Sequence, residues 1–311
     1  MSSPVRHTDH RESAPGQGIR IRNLNKSFGK KHVLRDITVD FAPDRVHGLL
    51  GANGVGKTTL MSVILNHTFR SSGEVLIDGE DPRENARLLE RTCFVHEDQK
   101  FHDDDTPASL LRILPTFYPA WDTDLAERLA PRFKLPMSTR TTKLSRGQRS
   151  ALAIVISLAA RAPYTFRDEP YLGLDPGHRA LFYEEFARAM AEHPRTVILS
   201  THLIDEVSDL LENVVMIEDG RVTVDADIDD AQDSAFVLRG LEPVVRDVVG
   251  ARRVLREYRL GNILSVTVDG TATAEDRRRA DAANVSVEPV TLQELVAARG
   301  MRGTDDAEMS V

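Results

Sequence analysis

Gly51-Ala52-Asn53-Gly54-Val55-Gly56-Lys57-Thr58 follows the short apolar run Val46 to Leu50 and leads into a helical pattern. The spacing Gly-x-x-x-x-Gly-Lys-Thr between a strand and a helix is that of a phosphate loop. Glycines 51, 54 and 56 let consecutive backbone N–H groups turn toward an anion, and the helix from Lys57 presents its positive dipole end to the same place. Lys57 then reaches the β- and γ-phosphates of a nucleoside triphosphate, and the Thr58 hydroxyl ligates Mg²⁺. The stretch predicts an α/β fold built around a nucleotide, with Gly51, Ala52, Asn53, Gly54, Val55, Gly56, Lys57, Thr58 and Thr59 as the binding segment.

Outward from this loop, the 311 residues are enough for one large core and a smaller second unit. Forty-one per cent hydrophobic and 28% charged residues are ordinary for a globular chain, and a net charge of −8 disfavours nucleic acid as the main partner. Arg277, Arg278 and Arg279, with Glu275 and Asp276 beside them, read as a solvated helix face. The single cysteine, Cys93, sits in an apolar stretch, forms no disulfide within the chain and reads as core in a reducing compartment. Residues 1–18 are polar and read as a disordered leader, as does the tail 301–311. The longest apolar run, Ala151 to Ala160, is shorter than the ~20 residues a membrane crossing needs.

Ile19 to Ile21, the alternating Ile37, Val39 and Phe41, and Val75 with Ile77 predict a small antiparallel sheet around the phosphate loop. Residues 106–160 turn helical, an insertion within a nucleotide-binding domain spanning 19–224. Thr196 to Leu199 and Val214 to Ile217 read as parallel strands covered on both faces. Asp225, Asp227, Asp229 and Asp230 mark residues 225–233 as a linker. Residues 234–300 then read as a small α+β domain in the order strand, helix, strand, strand, helix, strand, helix, with Leu264, Val266 and Val268 facing its core.

A phosphate loop alone admits kinases, GTPases, helicases and transport ATPases. The residues downstream narrow the choice: Leu144-Ser145-Arg146-Gly147-Gln148 precedes an apolar helix, Arg167-Asp168-Glu169-Pro170 follows it, and then come Gly173-Leu174-Asp175-Pro176 and Ser200-Thr201-His202. In order and spacing this resembles the ATP-binding subunit of ABC transporters over residues 19–224. Segments such as Phe117-Tyr118-Pro119-Ala120-Trp121-Asp122 and Thr291-Leu292-Gln293-Glu294-Leu295 are similar to bacterial export-type ATPases found beside GntR-type regulators.

The resemblance implies roles residue by residue. Phe28 matches the aromatic that stacks on adenine, Asp168 the carboxylate that holds Mg²⁺, and Glu169 the one that polarises the attacking water. His202 matches the residue that contacts the γ-phosphate. Ser145, Gly147 and Gln148 match the signature that closes over a partner's ATP, and Asp175 the loop that touches the opposing subunit. The resemblance therefore implies a dimer, homo- or heteromeric, with two ATP molecules between its subunits. A separate integral membrane permease would hold it at the cytoplasmic face of the membrane, and Phe117, Tyr118 and Trp121 are either packing residues or contacts to that permease.

The chain departs from the family pattern at three places. Glu97 stands where Gln is usual in the γ-phosphate-sensing loop, with Gln99 two residues on; Glu97 is the expected ligand to Mg²⁺ or water. Arg146 replaces a usual Gly. Arg167 replaces an apolar strand residue and requires a carboxylate partner or a route to solvent. Two alternatives stay open: a soluble non-transport ABC ATPase, which the net negative charge disfavours, and a regulatory module in which Arg167 and Glu97 have removed turnover.

Overall fold

The computed structural model describes residues 18–96, 101–201 and 204–300, which divide into two compact units. One contains residues 18–49 and 56–201, the other 50–55 and 204–300.

In the first unit, β1 (Ile19–Phe28) and β2 (Lys31–Phe41) form a hairpin, which precedes β3 (Val46–Leu50) and α1 (Lys57–Ile64). β4 (Ser72–Ile77) returns to pair with β1, giving an antiparallel sheet in the order β2-β1-β4. Its inward row includes Ile19, Ile21, Ile37, Val39, Phe41, Val75 and Ile77, all buried, as the two-residue alternation predicts. After α2 (Ala86–Leu89) and β5 (Thr92–His96), the insertion supplies α3 (Pro107–Ile113), α4 (Thr123–Arg132) and α5 (Arg146–Ala159). The unit closes with β6 (Tyr164–Asp168), α6 (Pro176–Glu192) and β7 (Thr196–Ser200). Strands β5, β6, β7 and β3 pair in parallel in that order. Every residue of β3, β6 and β7 is buried, so these strands show no alternation of buried and exposed positions.

In the second unit, α7 (Ile204–Val207) precedes an antiparallel hairpin of β8 (Asn213–Glu218) and β9 (Arg221–Asp227). Val214 to Ile217 thus pair antiparallel along β9. The acidic stretch read as a linker is structured: Asp225 and Asp227 lie in β9, and Asp229 and Asp230 occupy the first turn of α8 (Ile228–Asp233). Carboxylates there complement the positive end of a helix, which is why a charge run passed for a connector.

β10 (Ala235–Leu241), α9 (Glu242–Val249), β11 (Val254–Leu260), β12 (Ile263–Asp269), α10 (Ala274–Ala282) and β13 (Ser286–Pro289) form an antiparallel sheet in the order β11-β12-β10-β13. This is the split β-α-β arrangement. Leu264, Val266 and Val268 join Phe236, Leu238, Val245 and Val248 in its core, on the face predicted for them. α11 (Leu292–Gly300) follows and packs against α7, α8, β8 and β11.

Candidate nucleotide-binding site

The loop after β3 needs glycine for steric reasons that the structure makes explicit. Gly51, Gly54 and Gly56 have φ of +140°, +79° and +116°. A Cβ on Gly51 would sit 2.4 Å from the Ile217 carbonyl oxygen, and one on Gly56 2.8 Å from Leu34 Cδ2. Gly56 is the N-cap of α1 and no side chain caps that helix, whose positive end faces the loop.

Lys57 and Thr58 open α1 toward the ends of β6 and β7. Thr58 Oγ1 donates to Asp168 Oδ2, and Ser200 Oγ donates to Asp168 Oδ1. Asp168, at the end of β6 and only 9% exposed, is thereby held from both sides. Burial pushes the Lys57 ammonium below its ordinary range, and the carboxylates of Glu169 and Asp168 act against that shift. Glu169 has φ +49°, a left-handed conformation uncommon for a residue with a side chain, and its N–H donates to Ser200 O at 3.2 Å.

A hydroxyl and a carboxylate in contact are hard oxygen donors. No group of three or more His, Cys, Asp or Glu among the described residues could hold a metal by itself. That donor set fits Mg²⁺, which takes one or two protein oxygens and completes its shell with phosphate and water.

The signature segment is built around helix α5. Ser145 is its N-cap: Ser145 Oγ accepts from Gln148 N at 3.2 Å, and Ser145 N donates to Gln148 Oε1 at 2.9 Å. Gly147 packs on the loop after Glu169, where a Cβ would lie 2.4 Å from the Gly173 carbonyl oxygen. Ser150 Oγ fastens the same loop, donating to Leu172 O at 2.6 Å. Asp175 caps α6, accepting from His178 N at 3.0 Å and meeting His178 Nδ1 at 2.6 Å; these bonds hold its carboxyl below the usual range. Among the described residues, the hydrogen bonds of Ser145, Gln148 and Asp175 stay within their own helix starts and do not reach Lys57 or Asp168.

Phe28 is 52% exposed, which rules out a core role, and Lys26 Nζ lies 4.4 Å from its ring centroid. Glu97, Gln99 and His202 lie outside the described residues.

Arg167 corrects the sequence expectation. It has neither a carboxylate nor a route to water: its exposure is 0%, and none of its guanidinium nitrogens has a hydrogen-bond partner among the described residues. Its charge lies between the rings of Phe182 and Phe186, 5.2 and 4.9 Å from their centroids. Burial first, and the neighbouring Arg195 second, push it down to about 9. The buried carboxylate on α6, Glu185, is already engaged by Arg128, Arg132 and Arg188. Successive strand residues point to opposite faces, so Arg167 leaves the Asp168 side of β6 undisturbed.

Ser200 opens the Ser200-Thr201-His202 segment in the sequence, but its bond to Asp168 was not among the expected roles. Of the insertion aromatics, Tyr118 and Trp121 pack against the Cys93 cluster, whereas Phe117 is 61% exposed.

A glycine cradle at a helix start, with a threonine and an aspartate converging at the ends of parallel strands, defines a P-loop nucleoside-triphosphate-binding protein. Residues 34–172 match the model of the ABC transporter family. The chain is 28% identical over 215 residues to the ABC transporter ATP-binding protein YtrB of Bacillus subtilis, covering 69% of this chain and 74% of that protein. It is 28% identical over 209 residues to the Nod factor export ATP-binding protein I of Cupriavidus metallidurans, covering 65% and 69%. A solved ATP-binding subunit of an ABC transporter superposes with a TM-score of 0.62 at 22% identity, over 70% of this chain and 92% of that one, a likeness of fold. Residues 34–172 are thus similar in sequence to the ABC transporter family, and the fold is that of an ABC transporter's ATP-binding subunit.

Proposed function

We propose that this chain is the ATP-binding and ATP-hydrolysing subunit of an ABC transporter, driving a separate membrane permease in the export of a drug, peptide or envelope-related compound. The observation that carries the reading is the convergence of Thr58, Asp168 and Ser200 beside Lys57 and Glu169. Relatives named Nod factor export ATP-binding protein I support the export direction. No helix among the described residues is long and apolar enough to cross a membrane, in keeping with a transport pathway supplied by a partner at the cytoplasmic face.

In this reading the loop N–H groups and the start of α1 bind the phosphates, and Lys57 neutralises the charge shared between β and γ. Mg²⁺, when bound, supplies Lewis-acid stabilisation of that charge. Thr58 and Asp168 hold it, and Ser200 fixes the Asp168 carboxylate. Glu169 orients the attacking water and takes up its proton, with Glu97 and His202 assigned to the γ-phosphate side. Phe28 offers its exposed ring to adenine. Ser145, Gly147, Gln148 and Asp175 face the nucleotide of a second ATPase subunit, so closure needs two chains. Phe117 and Ile113, at 61% and 50% exposure, offer apolar surface to the permease.

Glu169→Gln, assayed for nucleotide binding and for turnover, tests the assignment. Retained ATP affinity with turnover at least ~100-fold down is expected for loss of a general base. Parental turnover would show that another group activates the water.

A further inference from the structure

One edge of the accessory module's sheet has no strand partner among the described residues. β11 is the edge of the β11-β12-β10-β13 sheet, and its last four residues, Glu257, Tyr258, Arg259 and Leu260, are all exposed. Tyr258 and Leu260, at 60% and 69% exposure, lie on the sheet face opposite the α9 and α10 core. Together with Arg256, Ile263, Ser265 and Thr267 they line a groove on that face. The other face of β11 carries charge: Glu257 receives Arg246 at 3.2 Å, and Arg259 meets Glu242 at 2.9 Å. An exposed edge of this length, without proline, is a template for another strand.

We propose that this edge pairs antiparallel with β11 of a second copy of the same chain, about a two-fold axis at Tyr258. The occupant follows from the charge pattern. A two-fold axis normal to the sheet keeps each face continuous, so opposed residues must come from the same face. Centring on Tyr258 opposes Glu257 with the other copy's Arg259, twice, places Arg256 against Leu260, and stacks the two Tyr258 rings. Centring on Arg256, Glu257 or Arg259 opposes like charges. Centres nearer either end of the strand leave at most three of its residues in register. The Tyr258-centred register keeps five residues paired, opposes no like charges and covers both exposed apolar side chains, Tyr258 and Leu260. This pairing does not depend on the nucleotide chemistry and stands or falls separately from the transport reading.

The test uses the full chain without nucleotide and with EDTA, so that ATP-driven pairing contributes nothing. Light scattering should give a dimer, and Arg259→Glu should weaken it at least about tenfold. Cys93 is buried, so a thiol introduced at Tyr258 is the exposed one. Tyr258→Cys should form a disulfide-linked dimer on mild oxidation. Leu260→Cys should not do so alone, but should when combined with Arg256→Cys. A chain that stays monomeric to about 100 μM, whether or not another protein binds the edge, overturns the proposal. So does Leu260→Cys cross-linking as fast as Tyr258→Cys.

Discussion

Replacing Arg167 with methionine should make the protein more stable. The wild-type guanidinium is fully buried, has no hydrogen-bond partner among the described residues and is pushed down to about 9, well below its ordinary range. A shift of that size means that the charged form is disfavoured by roughly 5 kcal/mol relative to water. At neutral pH the group still carries its proton, so the folded state bears that cost in full. The faces of Phe182 and Phe186 return part of it, at ~1–2 kcal/mol each for a desolvated cation. Methionine fills a similar elongated volume, keeps sulfur–ring contacts and removes the charge. The net expectation is a gain of about 2 kcal/mol, or roughly 4–8 °C in the melting temperature of a unit this size. Arg167→Ala removes the charge but leaves a cavity, and should fall below Arg167→Met by ~2–4 kcal/mol. Urea unfolding with calorimetry reads both variants, and ATP turnover should stay near parental because the side chain faces away from Asp168. An Arg167→Met protein destabilised by more than about 1 kcal/mol would refute the reasoning, since only a counter-charge or a bonded water would make the guanidinium stabilising.

Three further outcomes follow from the geometry. Ser200→Ala frees one oxygen of Asp168 and should weaken Mg²⁺ dependence of turnover by about 10-fold or more, read as a shift in the half-saturating Mg²⁺ concentration. Gly147→Ala drives a methyl into the Gly173 carbonyl and should cost ~1–3 kcal/mol in stability while lowering kcat more than it raises KM for ATP. Burial acts on Asp276 in the opposite sense, but hydrogen bonds from Thr273 and the adjacent Arg252 prevail and hold its carboxyl below 3.8. Its contribution is therefore present above the unfolded value and is lost as pH falls through the lower folded one. Asp276→Asn should accordingly flatten the acid limb of the stability curve of residues 234–300, measured by circular dichroism.

Much of this architecture was legible because its elements follow simple periods. Leu264, Val266 and Val268 alternate, and the strand faces as that alternation requires. The phosphate loop was legible because only glycine fits its backbone angles at 51, 54 and 56. Other features were hidden for physical reasons. Asp229 and Asp230 read as a connector because acids that complement a helix start look, in sequence, like a solvated charge run. Ser200 matters through a contact with Asp168, 32 positions away, which no local pattern encodes. Arg167 was recognisable as anomalous, but its accommodation by two rings on α6 depends on packing.

If two subunits pair as proposed, the capping box at Ser145 shapes how they engage. A serine hydroxyl has one proton to give and two lone pairs to receive with, and here a lone pair is committed to Gln148 N. Its proton is left unspent. A neighbour's terminal phosphate would therefore meet a donor already immobilised by its own helix, with little rotational freedom left to lose on contact. Docking would proceed without melting the first turn of α5, and truncating this one oxygen would blunt the helix tip and the grip on the incoming anion together.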